Sequence, residues 1–83
     1  MKLRSVISKP LSDLAPGDSG RVVSAPEGSG IELRLVDLGF VAGTALRVIR
    51  RAPLGDPVEI EIRGTRICLR RQDLIGIRVE VDG

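Results

Sequence analysis

Cys68 is the only thiol in this chain of 83 residues, and the sequence supplies few of the groups that a catalytic cysteine needs. The two-residue period of a strand places the guanidinium groups of Arg66 and Arg70 on the same side as Cys68, where positive charge would stabilise a thiolate. A cysteine nucleophile also needs a base, and the chain contains no histidine. The pattern therefore predicts a bystander thiol and no catalytic residue.

Glu59 and Glu61 are the second candidates for chemistry, because alternate positions of a strand place both carboxylates on one face. Carboxylate oxygens suit a hard divalent cation, and Cys68 would add one soft ligand. One thiol, scattered acids and no imidazole fall short of a transition-metal cage, so we expect no cofactor. A metal-responsive regulatory domain that uses Glu59, Glu61 and Cys68 as weak ligands stays open as an alternative.

The basic residues are mostly arginine, since Lys2 and Lys9 are the only lysines, and the formal net charge is +2. A second alternative is a nucleic-acid-binding barrel that uses an arginine face to track phosphates. That face would comprise Arg47, Arg51, Arg66 and Arg70. Phe40 is the only aromatic residue, which leaves no platform for stacked bases or for a proline-rich peptide. We therefore expect no nucleic acid partner under the leading interpretation.

The arrangement of apolar residues predicts mainly β structure in a single domain over residues 1–83. A short helical turn is expected over 10–14. Strands are expected over 18–25 and 44–52, in a hairpin over 58–71 that turns at Gly64-Thr65, and over 77–82. Residues 71–76 have room for one helical turn. About five short strands would expose their edges unless the sheet closed, so we expect a small closed or nearly closed barrel.

One capped α-helix is predicted between the first and second of these strands. Ser29 and Glu32 have the spacing of a capping box at its start, and Gly39 is suited to the positive φ that ends a helix. Its apolar stripe comprises Ile31, Leu35 and Leu38. Phe40 follows the end of the helix, where either a core position or an exposed anchor fits the pattern.

Several signals favour the cytoplasm. No apolar run approaches the roughly 20 residues that cross a bilayer. The N-terminus lacks an apolar region long enough for secretion, and one cysteine cannot form an internal disulfide. We expect a cytoplasmic protein that reaches a membrane only through a partner.

A set of ordered motifs extends over nearly the whole chain. They are Leu11 to Gly17, Arg34-Leu35-x-x-Leu38-Gly39-x-x-x-Gly43-Thr44-x-Leu46-x-Val48, Ala52-Pro53-x-Gly55-Asp56-Pro57, Gly64, Leu69-Arg70-Arg71 and Ile77-x-Val79. In order and spacing they closely resemble the FeoA family, the small cytoplasmic component of bacterial ferrous iron transport. Cys68 departs from the resemblance, because the family pattern more often has a small residue there. The resemblance implies an SH3-like barrel without an agreed catalytic residue, and a partner, FeoB, which is a membrane permease with a cytoplasmic GTP-binding domain.

The leading hypothesis is therefore a non-enzymatic accessory protein that binds the cytoplasmic region of FeoB and modulates its assembly or GTPase cycle. An apolar anchor ringed by charged groups supplies most of the energy of a compact interface. The expected contact residues on the helix and adjoining loops are Arg34, Asp37, Phe40, Leu54 and Asp56. The sequence leaves open whether an exposed sheet edge or the thiol also pairs two copies.

Overall fold

Six antiparallel strands form one continuous sheet in the computed structural model, which describes residues 6–26 and 31–82. The strands are β1 (Val6–Pro10), β2 (Ser19–Ser24), β3 (Ala45–Arg51), β4 (Val58–Ile62), β5 (Thr65–Leu69) and β6 (Arg78–Asp82). A 3₁₀ turn (Leu11–Asp13) follows β1, helix α1 (Ile31–Leu38) lies between β2 and β3, and helix α2 (Arg71–Leu74) lies between β5 and β6. The strand order is β1-β6-β2-β3-β4-β5, so β1 and β5 are the two ends of the sheet.

This architecture confirms the predicted mainly β class, the helix between two strands and the N-terminal helical turn. The number of strands differs, because β1 pairs with β6 from Val6↔Asp82 to Pro10↔Arg78 and was not expected. Val6 and Ile7 are each about half exposed, so β1 lacks the alternation that marks a half-buried strand. It forms by backbone pairing to a strand that lies far away in the sequence, which a local pattern does not reveal.

Apart from Phe40 the core is aliphatic, as expected of a chain with one aromatic residue. In β4 the alternate residues Val58, Ile60 and Ile62 are buried, while Glu59 and Glu61 between them are partly exposed. The other buried apolar residues are Leu11, Leu14, Val22, Leu35, Phe40, Leu46, Val48, Leu69, Leu74, Ile77 and Val79. Burial of such side chains contributes about 1.5–3 kcal/mol each, which makes this core the main source of stability.

Helix α1 ends in a Schellman motif. Gly39 has φ +110° and donates its N–H to the carbonyl of Val36 at 3.0 Å, and Phe40 donates to the carbonyl of Leu35 at 3.0 Å. Leu35 and Phe40 are both buried, as the hydrophobic contact of this motif requires. The predicted stop at Gly39 is thereby confirmed. The capping box at Ser29 lies outside the described residues, as does the side chain of Ile31.

The β4–β5 hairpin confirms the predicted pairing over 58–71 but turns one residue earlier than predicted. Ile62 pairs with Thr65, and the two turn residues are Arg63 and Gly64, with φ +52° and +77°. Positive φ at both positions is the geometry of a type I′ turn, which matches the twist of the flanking strands. The stem of Arg63 then lies against Gly39, where an added Cβ would stand 2.5 Å from the Cδ of Arg63.

A register change in β3 reverses the side on which its last residues point. Val48 pairs with Ile60, but Arg50 pairs with Glu59 and Arg51 with the buried Val58, so Ile49 is an extra residue. The sequence period had placed Arg51 on the outer face beside Arg47, which is wrong. Arg51 is half-buried, and its Nη2 donates to the carbonyl of Ser12 at 3.0 Å and also to that of Leu14. It thereby fastens the 3₁₀ turn to the sheet.

We expect Arg51→Ala to lower the free energy of unfolding by about 1–3 kcal/mol, because it leaves two part-buried carbonyls without their charged donor. The measurement is urea denaturation. Arg47→Ala is the matched control: Arg47 is about half exposed and pairs with Glu61 at 3.5 Å, so it should cost only about 0–1 kcal/mol. Equal losses in the two variants would contradict the anchoring role of Arg51.

A candidate partner-binding surface

The β3–β4 loop presents Leu54 to solvent with 97% of its surface exposed. The loop is held by its own backbone, because Gly55 donates its N–H to the carbonyl of Ala52 at 2.7 Å and Ala52 donates to that of Pro57 at 3.0 Å. Pro53, the residue before Leu54, also has its φ fixed by its ring. A loop whose backbone is already ordered loses little conformational freedom on binding. This favours the large apolar side chain that it carries as an interface anchor.

Asp56 joins this loop to α2. Its Oδ1 accepts the backbone N–H of Arg71, the first residue of α2, at 2.8 Å, and its Oδ2 lies 3.9 Å from Nη1 of Arg70. The residue at the helix start, Arg70, provides no side-chain cap of its own. Asp56 therefore supplies from a distant loop the acceptor that a helix N-terminus needs.

We expect Asp56→Ala to lower the free energy of unfolding by about 0.5–2 kcal/mol through loss of this cap. Asp56→Asn keeps an acceptor oxygen and should cost clearly less. Thermal denaturation of both variants checks this. If Asn and Ala cost the same, the charge opposite Arg70 rather than the hydrogen bond to Arg71 would be the contribution of Asp56.

A groove of about 330 Å³ lies between α1, β5 and α2. Arg34 and Leu38 line it from α1, and Asp73 lines it from α2. The β5 side is formed by Ile67, Cys68 and Leu69. Leu38 and Ile67 pack partly buried against the core, so the floor is apolar, while the rim carries charges of both signs.

Four of the five predicted contact residues are exposed, and they fall on two elements. Arg34 and Asp37 are exposed on α1, and Leu54 and Asp56 are exposed in the loop. Arg34 lines the groove together with Asp73 of α2, and Asp56 caps α2, so α2 links the two groups.

Phe40 does not lie on the surface, although it was included among the expected contact residues. Only 1% of its surface is exposed. The Schellman motif turns its side chain into the core, so Phe40 supports α1 and cannot serve as a surface anchor without local unfolding. Two valines that the sequence analysis did not select are exposed on either side of it, Val36 at 42% and Val41 at 43%.

The carboxylates of Glu59 and Glu61 face arginines on both neighbouring strands. Glu59 lies 2.5 Å from Nε of Arg50 and 4.0 Å from Nη1 of Arg66. Glu61 lies 3.5 Å from Nη2 of Arg47 and 3.8 Å from Nε of Arg66. These pairs engage both carboxylates, which weakens the metal-ligand interpretation of this face.

Cys68 is exposed and free, and it stands opposite Glu59 in the β4–β5 ladder. Within residues 6–26 and 31–82 no group of three or more His, Cys, Asp or Glu side chains comes together to hold a metal ion. The proposed arginine face is also broken up, since Arg51 points inward and Arg70 faces Asp56. Neither alternative function is favoured by this geometry.

The groove and the edge of β5 beside it were not predicted from the sequence. Ile67 and Leu69 were correctly predicted to face the core, but the strand order decides that β5 has one neighbour among the described strands. The sequence signal that could have indicated an edge strand was the short length of β5 between a tight turn and a helix. The order of strands in the sheet depends on long-range pairing that no local motif records.

None of the helices in the described part of the chain has the length and apolarity to cross a membrane. The fold and the surface together define a small antiparallel β domain with an exposed leucine, a helix-edged groove and, among the described residues, no cluster of metal-binding side chains. The chain belongs to the FeoA family, because the FeoA domain model matches residues 9–81. The family is associated with ferrous iron transport.

One relative joins this domain to a transporter. The Fe(2+) transport protein A/Fe(2+) transporter FeoB fusion protein of Porphyromonas gingivalis is 40% identical over 72 residues, which are 86% of this chain and 8% of the relative. The chain thus spans a small part of that protein's length.

Solved structures agree on the fold. The solution structure of FeoA from Chlorobium tepidum is 42% identical with a TM-score of 0.80, and the match covers 87% of this chain and 69% of that one. Stenotrophomonas maltophilia FeoA, complexed with zinc and described as a prokaryotic SH3 domain protein, is 28% identical with a TM-score of 0.73 over 87% and 94% of the two chains. The predicted SH3-like fold is confirmed.

Proposed function

We propose that this chain is a non-enzymatic accessory protein of ferrous iron uptake that binds the cytoplasmic region of a FeoB-type permease and modulates its assembly or GTPase cycle. The observation that carries the proposal is the Porphyromonas gingivalis relative, in which a homologous domain and FeoB are one polypeptide. A covalent fusion holds two partners at high effective concentration, as expected for domains that work in contact. On this proposal the chain acts in the cytoplasm and reaches the membrane through its partner.

The proposed contact surface consists of Leu54 as the anchor, Asp56 in the same loop, and the charged residues Arg34 and Asp37 on α1. Val36 and Val41 take the apolar role that the sequence had given to Phe40. Exposed apolar side chains rimmed by charges have the composition of an interface whose centre becomes desolvated on binding. Asp56 also fixes the loop against α2, so the anchor is presented in one position.

The test is a calorimetric titration of this chain into the soluble GTP-binding region of the cognate permease, and into the full permease in detergent, each with GDP and with a non-hydrolysable GTP analogue. Saturable heat with at least one preparation is the expected result. A difference in affinity between the two nucleotides would identify the state that the chain stabilises. The absence of heat with both preparations would contradict the proposed function.

Within this titration we expect Leu54→Ser to weaken binding about tenfold or more, because truncating a buried anchor of an interface costs on the order of 1–2 kcal/mol. Folding should be unaffected, since the side chain is 97% exposed in the free chain. Ile7→Ser is the matched control, because Ile7 is half exposed on β1 at the other end of the sheet. Equal affinity of the two variants would place the anchor elsewhere.

A further inference from the structure

The outer edge of β5 carries backbone groups that no described strand pairs. The sheet ends at β5, which pairs with β4 alone. Hydrogen-bonded and non-hydrogen-bonded pairs alternate in an antiparallel ladder, and the pair that closes a two-residue turn, Ile62↔Thr65, is hydrogen-bonded. By this alternation Arg66 and Cys68 direct their N–H and C=O groups away from β4, towards the open edge.

The groove described above lies along this edge. Its lining includes three consecutive β5 residues, from Ile67 to Leu69, and it is bounded by Arg34 and Leu38 of α1. An edge strand with a helix beside it is the arrangement into which extended segments insert as an added strand, with pockets for alternate side chains. A groove of about 330 Å³ has room for a few side chains of such a segment.

The two faces of β5 differ in polarity, and this difference determines which side chains an added strand should have on each face. Ile67 and Leu69 lie on the core side, whereas Arg66, Cys68 and, just beyond the strand, Arg70 lie on the outer side. The Arg66 and Arg70 side chains are 58% and 72% exposed, and their nearest carboxylates are 3.8–4.0 Å away, so both remain accessible. An added strand is therefore matched by apolar residues on the α1 side and acidic residues on the outer side.

A second copy of this chain meets repulsion at this edge in one register. A two-fold pairing of β5 with β5 about Cys68 would place Arg66 of one copy opposite Arg70 of the other. Like charges directly opposite each other destabilise a strand pair. In that register the charge pattern favours a different chain with acidic side chains over a second copy.

We propose that β5 accepts an extended segment of the permease's cytoplasmic region, with alternating acidic and apolar residues, as a seventh strand of the sheet beside α1. This inference rests on the proposed function for the identity of the partner and adds how the partner binds. The backbone groups of Arg66 and Cys68 supply the strand pairing, and the groove beside Leu38 receives the apolar side chains.

The first test is amide hydrogen exchange by NMR on the labelled chain, free and bound to the soluble GTP-binding region of the cognate permease. The amides of Arg66 and Cys68 should exchange rapidly in the free chain and at least about tenfold more slowly in the complex. The β1 edge at the other end of the sheet serves as the internal control and should not change. Saturable binding without protection at Arg66 and Cys68 would overturn the strand-addition proposal and leave the proposed function standing, whereas no binding would overturn both.

The second test compares Cys68→Pro with Cys68→Ala in the calorimetric titration. Proline removes the outward N–H at a position where no bond to β4 is lost, and alanine removes only the thiol. We expect the proline variant to bind about tenfold or more weakly than the alanine variant. Proline removes one hydrogen bond to the added strand and disturbs the extended backbone that the pairing requires. Circular dichroism checks that both variants fold. If the proline variant unfolds, the exchange measurement on the unmodified chain remains the test of the proposal. Equal affinities of the two folded variants would overturn the proposal.

Discussion

The extra residue at Ile49 in β3 is the local irregularity on which the rest of the structure depends. Because it reverses the direction of the following side chains, Arg51 points to the core side and donates to the carbonyls of Ser12 and Leu14. The 3₁₀ turn that follows β1 is thereby tied to the third strand, and Leu11 and Leu14 are buried beside it. A bulge also increases the local twist, as a sheet of short strands needs in order to wrap around an aliphatic core.

The same irregularity brings Arg50 opposite Glu59, next to the pair formed by Arg47 and Glu61. With Arg66 on β5, the outer face becomes an array of opposite charges. Each exposed pair contributes little to stability, about 0–1 kcal/mol, but a slip of one residue would set these charges opposite apolar partners. The array therefore favours one register and, among the described residues, interrupts the arginine face with carboxylates.

The exposed groups of the β3–β4 loop are held by defined contacts. Leu54 is placed by backbone hydrogen bonds within its loop and by Asp56, which accepts the first N–H of α2. Helix α2 in turn follows β5, whose outer edge borders the groove beneath α1. Helix α2 therefore connects the loop that carries Leu54 to the groove beside β5. A partner that engaged both would bind with little rearrangement of either.

The sequence by itself determined the elements whose signals are local. Alternation in Val58–Ile62 and the glycine at position 39 predicted a half-buried strand and a helix end, and the ordered motifs indicated the FeoA family. The tertiary structure alone decided the pairing of β1, the inward turn of Arg51, the burial of Phe40 and the open edge of β5. Periodicity records which faces of a segment are apolar, because neighbouring residues share one geometry. Strand order, bulges and the side on which a residue after a helix packs depend on contacts between distant segments, which local spacing does not encode.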